Sequence, residues 1–143
     1  MSTPIQATAS YTFNASPEAV FDAWVTGKHV RNWFGPGLGE VTRVAIDARE
    51  GGSFIFVQRR GMDDVEHTGT YLEYIRPERL VFTWLVKDAG QSSKVSIDFS
   101  TTASGCQVTL THHLQPQFEN YRERVTASWS KMLTAMAASI DSK

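Results

Sequence analysis

The chain has 143 residues, 41% hydrophobic and 20% charged, with fourteen basic against fifteen acidic side chains and a formal net charge of −1. A domain of this length buries roughly 70% of the surface its unfolded form exposes, and the balanced charge, without a long run of one sign, argues against a nucleic-acid face. The single cysteine, Cys106, excludes an internal disulfide and suits a reducing compartment.

The opening segment MSTPIQATAS lacks a basic region followed by an apolar core, so it does not read as a signal peptide. The longest nearly apolar run, Leu80 to Val86, is too short for a bilayer. The expected location is the cytoplasm, and Asn14-Ala15-Ser16 matches a glycosylation pattern by letter only. Ile5 to Phe13 reads as a strand. Ser16-Pro17-Glu18-Ala19 starts a helix, with a capping serine, proline at the first helical position and acidic residues near the positive dipole end. Val20, Phe21 and Trp24 share one face of it, and Gly27 ends it. A second short helix is expected from Lys28 to Trp33, stopped by Gly35-Pro36-Gly37.

From there the hydrophobic period becomes that of strands. Val41 to Ile46, Ser53 to Arg60, His67 to Ile75, Leu80 to Val86, Lys94 to Ser100 and Cys106 to His113 read as an antiparallel meander. The turns between them are Glu50-Gly51-Gly52, Gly61-Met62-Asp63-Asp64, Arg76-Pro77-Glu78, Asp88-Ala89-Gly90 and Ala103-Ser104-Gly105. Alternation turns Phe54 and Phe56 inward, with Leu80, Phe82, Trp84 and Val86. Val95, Ile97, Phe99, Val108, Leu110 and His112 follow the same rule. After Pro116 the helical period returns: Phe118, Tyr121, Val125, Trp129, Met132, Leu133, Met136 and Ile140 form an apolar stripe. A helix of that span is roughly 33 Å long, enough to cross the open sheet face that nothing else covers.

These elements resemble a known family. Ser16-Pro17-Glu18-x-Val20-Phe21-x-Ala23-Trp24, Trp33-Phe34-Gly35-Pro36 and Asp47-x-Arg49-x-Gly51-Gly52-x-Phe54 carry the first half of the likeness. Gly69-x-Tyr71-x-Glu73, Pro77-Glu78-Arg79-Leu80-Val81-Phe82-Thr83-Trp84, and Trp129 with Leu133 carry the second. In that order and spacing the chain resembles the START-like, birch-pollen-allergen-like (SRPBCC) superfamily. It is similar to the branch named after the C-terminal domain of the activator of the ninety-kilodalton heat-shock protein's ATPase. The resemblance implies an α+β helix-grip fold over residues 1–143: a curved antiparallel sheet of about seven strands, two short helices after the first strand, and a long C-terminal helix. It also implies a cavity between sheet and helix. Members bind lipids, hormones or polyketides, some are cyclases or hydrolases, and the branch includes a chaperone-binding protein.

The residues themselves offer no phosphate loop, no zinc-protease motif, no paired-cysteine knuckle and no dinucleotide fingerprint. In Gly35-Pro36-Gly37-Leu38-Gly39 the proline removes an amide donor, so the stretch reads as a loop at the cavity mouth. His112 and His113 point to opposite faces and do not share a metal; His112, facing in, is either a ligand contact or a satisfied core histidine. His67, beside Asp63, Asp64 and Glu66, reads as part of a solvated turn. Asp47 and Arg49 read as an ion pair on one strand face, and Tyr71 and Glu73 as sharing another. Cys106 reads as buried and inert.

The aromatic side chains are either ordinary core or cavity wall. The expected ligand-cavity set is Trp33, Phe54, Phe56, Tyr71, Trp84, His112, Trp129 and Met132, with His112 and Tyr71 as polar anchors. No metal or cofactor is expected, nor nucleic acid or membrane. The leading function is binding of a small hydrophobic or amphipathic molecule. The alternatives are a hydrolase or cyclase acting on a hydrophobic substrate, or a module meeting a chaperone, another protein or its own copy.

Overall fold

The computed structural model describes residues 5–87, 92–114 and 116–141, the side chains of 116–118 and 141 excepted. The Asp88-Ala89-Gly90 turn and the Phe118 side chain, both part of the expectations above, lie outside that description. Strand β1 (Ile5–Phe13) leads into α1 (Pro17–Val25) and α2 (Gly27–Trp33). A meander follows: β2 (Val41–Ile46), β3 (Ser53–Arg60), β4 (Asp63–Ile75), β5 (Arg79–Val86), β6 (Ser93–Thr101) and β7 (Cys106–Leu114). A 3-10 turn (Pro116–Tyr121) then opens α3 (Arg122–Asp141). The seven strands form one antiparallel sheet in the order β1-β7-β6-β5-β4-β3-β2, so the first strand closes onto the last.

The local reasons are those the residues announce. Ser16 caps α1, its Oγ accepting from the Ala19 amide at 3.1 Å with Pro17 just inside the helix. Val20, Phe21, Ala23 and Trp24 are buried by α1. Gly27 begins α2 rather than merely ending α1, because the chain turns at an extended Thr26. The Trp33 indole then donates to the Ala23 carbonyl at 2.8 Å, which locks the two helices together.

Three details of the sheet and its turns differ from expectation. The β3–β4 turn is shorter than the Gly61-Met62-Asp63-Asp64 stretch suggests: Arg60 pairs with Asp63, so only Gly61 and Met62 form the turn. Asp47 and Arg49 sit in the turn after β2, not on a strand, and pair there at 2.9 Å in the open. A bulge between Tyr71 and Glu73 reverses the alternation in β4, so Tyr71 faces in and Glu73 faces out to Arg79.

The core lies between the inner sheet face and the three helices. Trp24 packs tilted at 4.9 Å from Trp33 and 6.0 Å from Trp129, and Phe21 meets Phe99 and Tyr74 at 5.1 Å. Helix α3, 20 residues long, runs against β1 and α2, burying Trp129, Met132, Leu133, Met136 and Ala137. Tyr121, expected on its stripe, is 47% exposed, because the first turn is 3-10 and its side chains do not follow the α-helical face.

Candidate functional site

The site begins with a glutamine. Phe54, Phe56, Gln58 and Arg60 alternate along the inner face of β3. Gln58 is fully buried, and its Nε2 donates to the carbonyls of Gly35 at 2.9 Å and Gly39 at 3.1 Å. Both hydrogens of that amide therefore hold the loop that follows α2. Its Oε1 accepts from Arg60 Nε at 2.8 Å, which fixes the direction of the guanidinium. Gly35 is required here: its φ is +54, and a Cβ would fall 2.5 Å from Gln58 Oε1.

The clamped loop roofs a pocket of about 450 Å³ at one end of the molecule. Phe34, Pro36 and Leu38 come from the loop, His67 from β4, Trp84 and Val86 from β5, and His112 from β7. Helix α3 supplies Val125, Ser128, Trp129 and Met132 as the opposite wall. The mouth carries Arg60, Arg124 and Lys131, and among the described residues no Asp or Glu lines it. A wider hollow of about 740 Å³ lies on the outer sheet face around Ser53, Thr68, Thr70 and Thr83. It is shallower and more open, so the deeper end pocket is the better binding geometry despite its smaller volume.

Two buried histidines stand in the pocket wall. Trp129 Nε1, which can only donate, lies 3.0 Å from His112 Nδ1, so that nitrogen accepts. Nε2 then carries the proton and donates to Ser93 Oγ at 2.6 Å, and Ser93 in turn donates to the Trp84 carbonyl at 3.3 Å. This relay ties α3 to β7, β6 and β5. Burial, and secondarily His113, lowers the His112 pKa to about 4, so the ring is neutral at physiological pH. Both ring nitrogens are spent, and the pocket meets only its carbon edge.

His67 is different. It packs against Phe34 at 4.7 Å and Trp84 at 5.3 Å, is 3% exposed, and its Nδ1 is buried without a hydrogen-bond partner. Burial lowers its pKa to about 4, and the nearby Arg60 guanidinium pushes the same way. The solvated-turn reading of His67 is thus wrong. With a two-residue turn the register sets His67 opposite Phe56, on the inner face.

Of the aromatic and sulfur residues expected around a cavity, Trp84, His112, Trp129 and Met132 line the pocket. Trp33, Phe54, Phe56 and Tyr71 do not. They surround a residual void of about 10 Å³ deeper in the core, where rings from both sides already meet. Tyr71 is 2% exposed there, and burial raises its pKa well above the ordinary phenol value. The residues that were not anticipated, Gln58, Arg60 and His67, follow from carrying the alternation of Phe54 and Phe56 two steps further and from the short turn. Cys106 is buried and its thiol pKa is raised by burial, which disfavours the reactive thiolate. Among the described residues no three His, Cys, Asp or Glu side chains come close enough to share a metal ion, and no helix is long and apolar enough to cross a membrane.

The model of one protein family, "Activator of Hsp90 ATPase homolog 1-like protein", matches residues 14–141. Among curated proteins no relative matches significantly. Several solved structures share the fold. Protein NE0264 from Nitrosomonas europaea is 20% identical with a TM-score of 0.84, covering 97% of this chain and 98% of that one. Protein CV1439 from Chromobacterium violaceum is 21% identical with a TM-score of 0.85, covering 96% and 98%. An AHSA1-like protein from Aeromonas hydrophila is 19% identical with a TM-score of 0.78, covering 96% and 92%.

Proposed function

The chain belongs to the Activator of Hsp90 ATPase homolog 1-like family, and on that premise we propose that its end pocket binds a small hydrophobic or amphipathic molecule. The observation that carries the reading is the pocket of about 450 Å³, walled by Trp84, Trp129, Met132 and Val125 and roofed by a loop held in place. Such a volume and a mainly apolar lining with a few polar groups are those of small-molecule sites. Both ring nitrogens of His112 are committed to Trp129 and Ser93, so this histidine holds the wall rather than moving a proton.

A chaperone-contacting module, the other role that the family name suggests, calls for a contiguous apolar face outside the pocket. The large apolar side chains exposed among the described residues are Leu38, Met62, Leu72, Ile75 and Tyr121. They sit at the loop, the β3–β4 turn, β4 and the 3-10 turn, so they give that reading less support. The test is a thermal-shift and tryptophan-fluorescence screen of apolar probes, repeated on Val125→Trp, whose added bulk fills the pocket. Binding by the parent and loss in the folded variant is the expected result. Probes that bind both proteins equally would place the ligand elsewhere and refute the proposal.

A further inference from the structure

We propose that the ligand is an amphipathic anion, a carboxylate on an apolar chain or ring, with its head group on Arg60 and its apolar part against Trp84 and Trp129. The inference rests on the pocket reading above and adds the chemistry of what enters. Arg59, the neighbour of Arg60 on the opposite strand face, reaches Asp64 at 3.1 Å, and Arg76 and Arg79 meet carboxylates at 2.8 and 2.7 Å. Arg60 alone of these four has no carboxylate within ion-pair reach among the described residues. It is half-buried, and burial pulls its pKa below the ordinary value. A guanidinium withdrawn from water without a counter-charge is unfavourable unless something supplies one.

Its orientation points to what that is. Gln58 Oε1 engages Nε, which leaves the two terminal nitrogens, the edge that grips a carboxylate with two parallel hydrogen bonds. Arg124 and Lys131 add positive charge at the same mouth. Arg124 already lies over the Tyr121 ring at 5.5 Å, so Arg60 is the cation with both a fixed direction and an open fork. Among the described residues no acidic side chain lines the pocket to compete with an incoming anion. The neutral His67 beside Arg60 neither repels a ligand nor neutralises its charge.

The test compares decanoate, 1-decanol and decylammonium on the full chain at low salt, read by tryptophan fluorescence because Trp84 and Trp129 form the wall. Decanoate is expected to bind about tenfold more tightly than decanol, about 1.4 kcal/mol, with decylammonium weakest. Added salt should shrink the decanoate advantage, and Arg60→Met should collapse it. Decanol binding as tightly as decanoate, or a preference that survives both salt and Arg60→Met, overturns the inference while leaving the pocket reading intact. If none of the three binds, the pocket reading falls and the inference with it. Should Arg60→Met fail to fold, the ranking of the three probes on the parent protein and its salt dependence decide the matter alone.

Discussion

Lowering the pH from 7 to 5 should destabilise this protein markedly, through two histidines. His67 and His112 are each held near a pKa of about 4 against 6.5 for the unfolded chain, chiefly by burial. Above pH 6.5 both are neutral in either state and contribute nothing. As the pH falls below that value, the unfolded chain takes up protons that the native state refuses, so stability declines until the pH reaches about 4. At 1.36 kcal/mol per unit of pKa difference the full loss is about 3.4 kcal/mol for each group, and about 2 kcal/mol of it is already lost at pH 5. For the pair that is about 4 kcal/mol, a large fraction of a total of roughly 5–15 kcal/mol. His113, on the outer face near Lys94 and Arg79, is lowered too and acts in the same direction. The Asp22 carboxyl, lowered by its bond to Arg76, matters only below this window. Urea unfolding at half-unit pH steps measures the slope, and His67→Leu should roughly halve it. A denaturation midpoint that stays level from pH 7 to 5, or His67 and His112 imidazole resonances titrating near pH 6.5, would refute the burial argument.

Gln58→Leu should cost about 1–3 kcal/mol by stripping the partner from two loop carbonyls, and it should speed amide exchange in residues 35–39 more than elsewhere. Exchange unchanged in that loop would mean that the clamp is not what holds it. Trp129→Phe keeps a ring in the core but leaves His112 Nδ1 without a donor, which predicts a loss of about 1–3 kcal/mol in urea unfolding. A variant as stable as the parent would show that the relay from Trp129 to Trp84 contributes nothing.

Much of the fold was legible because alternation and period are written in single residues. Phe54 and Phe56, the run from Leu80 to Val86, and the stripe of Trp129, Leu133 and Met136 assigned strands, helix and inner faces without tertiary information. What escaped depended on register. Whether Asp63 and Asp64 belong to a turn or a strand is decided by the conformation at Gly61, whose φ is +64, and that choice alone moves His67 from solvent to core. The bulge after Tyr71 likewise separates it from Glu73, since one extra residue inverts the face of everything beyond it. The cavity set was half core for a different reason. Side-chain volume on facing elements decides whether a space is filled, and sequence spacing does not report which rings meet across it.

The position of the pocket follows from where α3 lies. The helix runs along β1 and α2, so it covers the sheet most closely at that side. Beneath the middle of the helix the rings of Trp24, Trp33, Phe54, Phe56 and Phe82 meet Trp129 and close to a void of about 10 Å³. Toward Trp84 and Val86 the helix presents its first turns, where Arg124, Ser128 and Lys131 are exposed and Val125, Trp129 and Met132 line the pocket. An apolar space left at that end would ordinarily collapse as the nearest loop folded in. Here the loop is fixed from outside the apolar interactions, by one buried amide with both hydrogens committed, and the wall is fixed by a relay that ends on a strand carbonyl. Closing the space would break those bonds inside a low-dielectric interior, where an unpaired polar group is costly. A polar frame therefore keeps an apolar pocket open, and it places a half-buried guanidinium at the entrance.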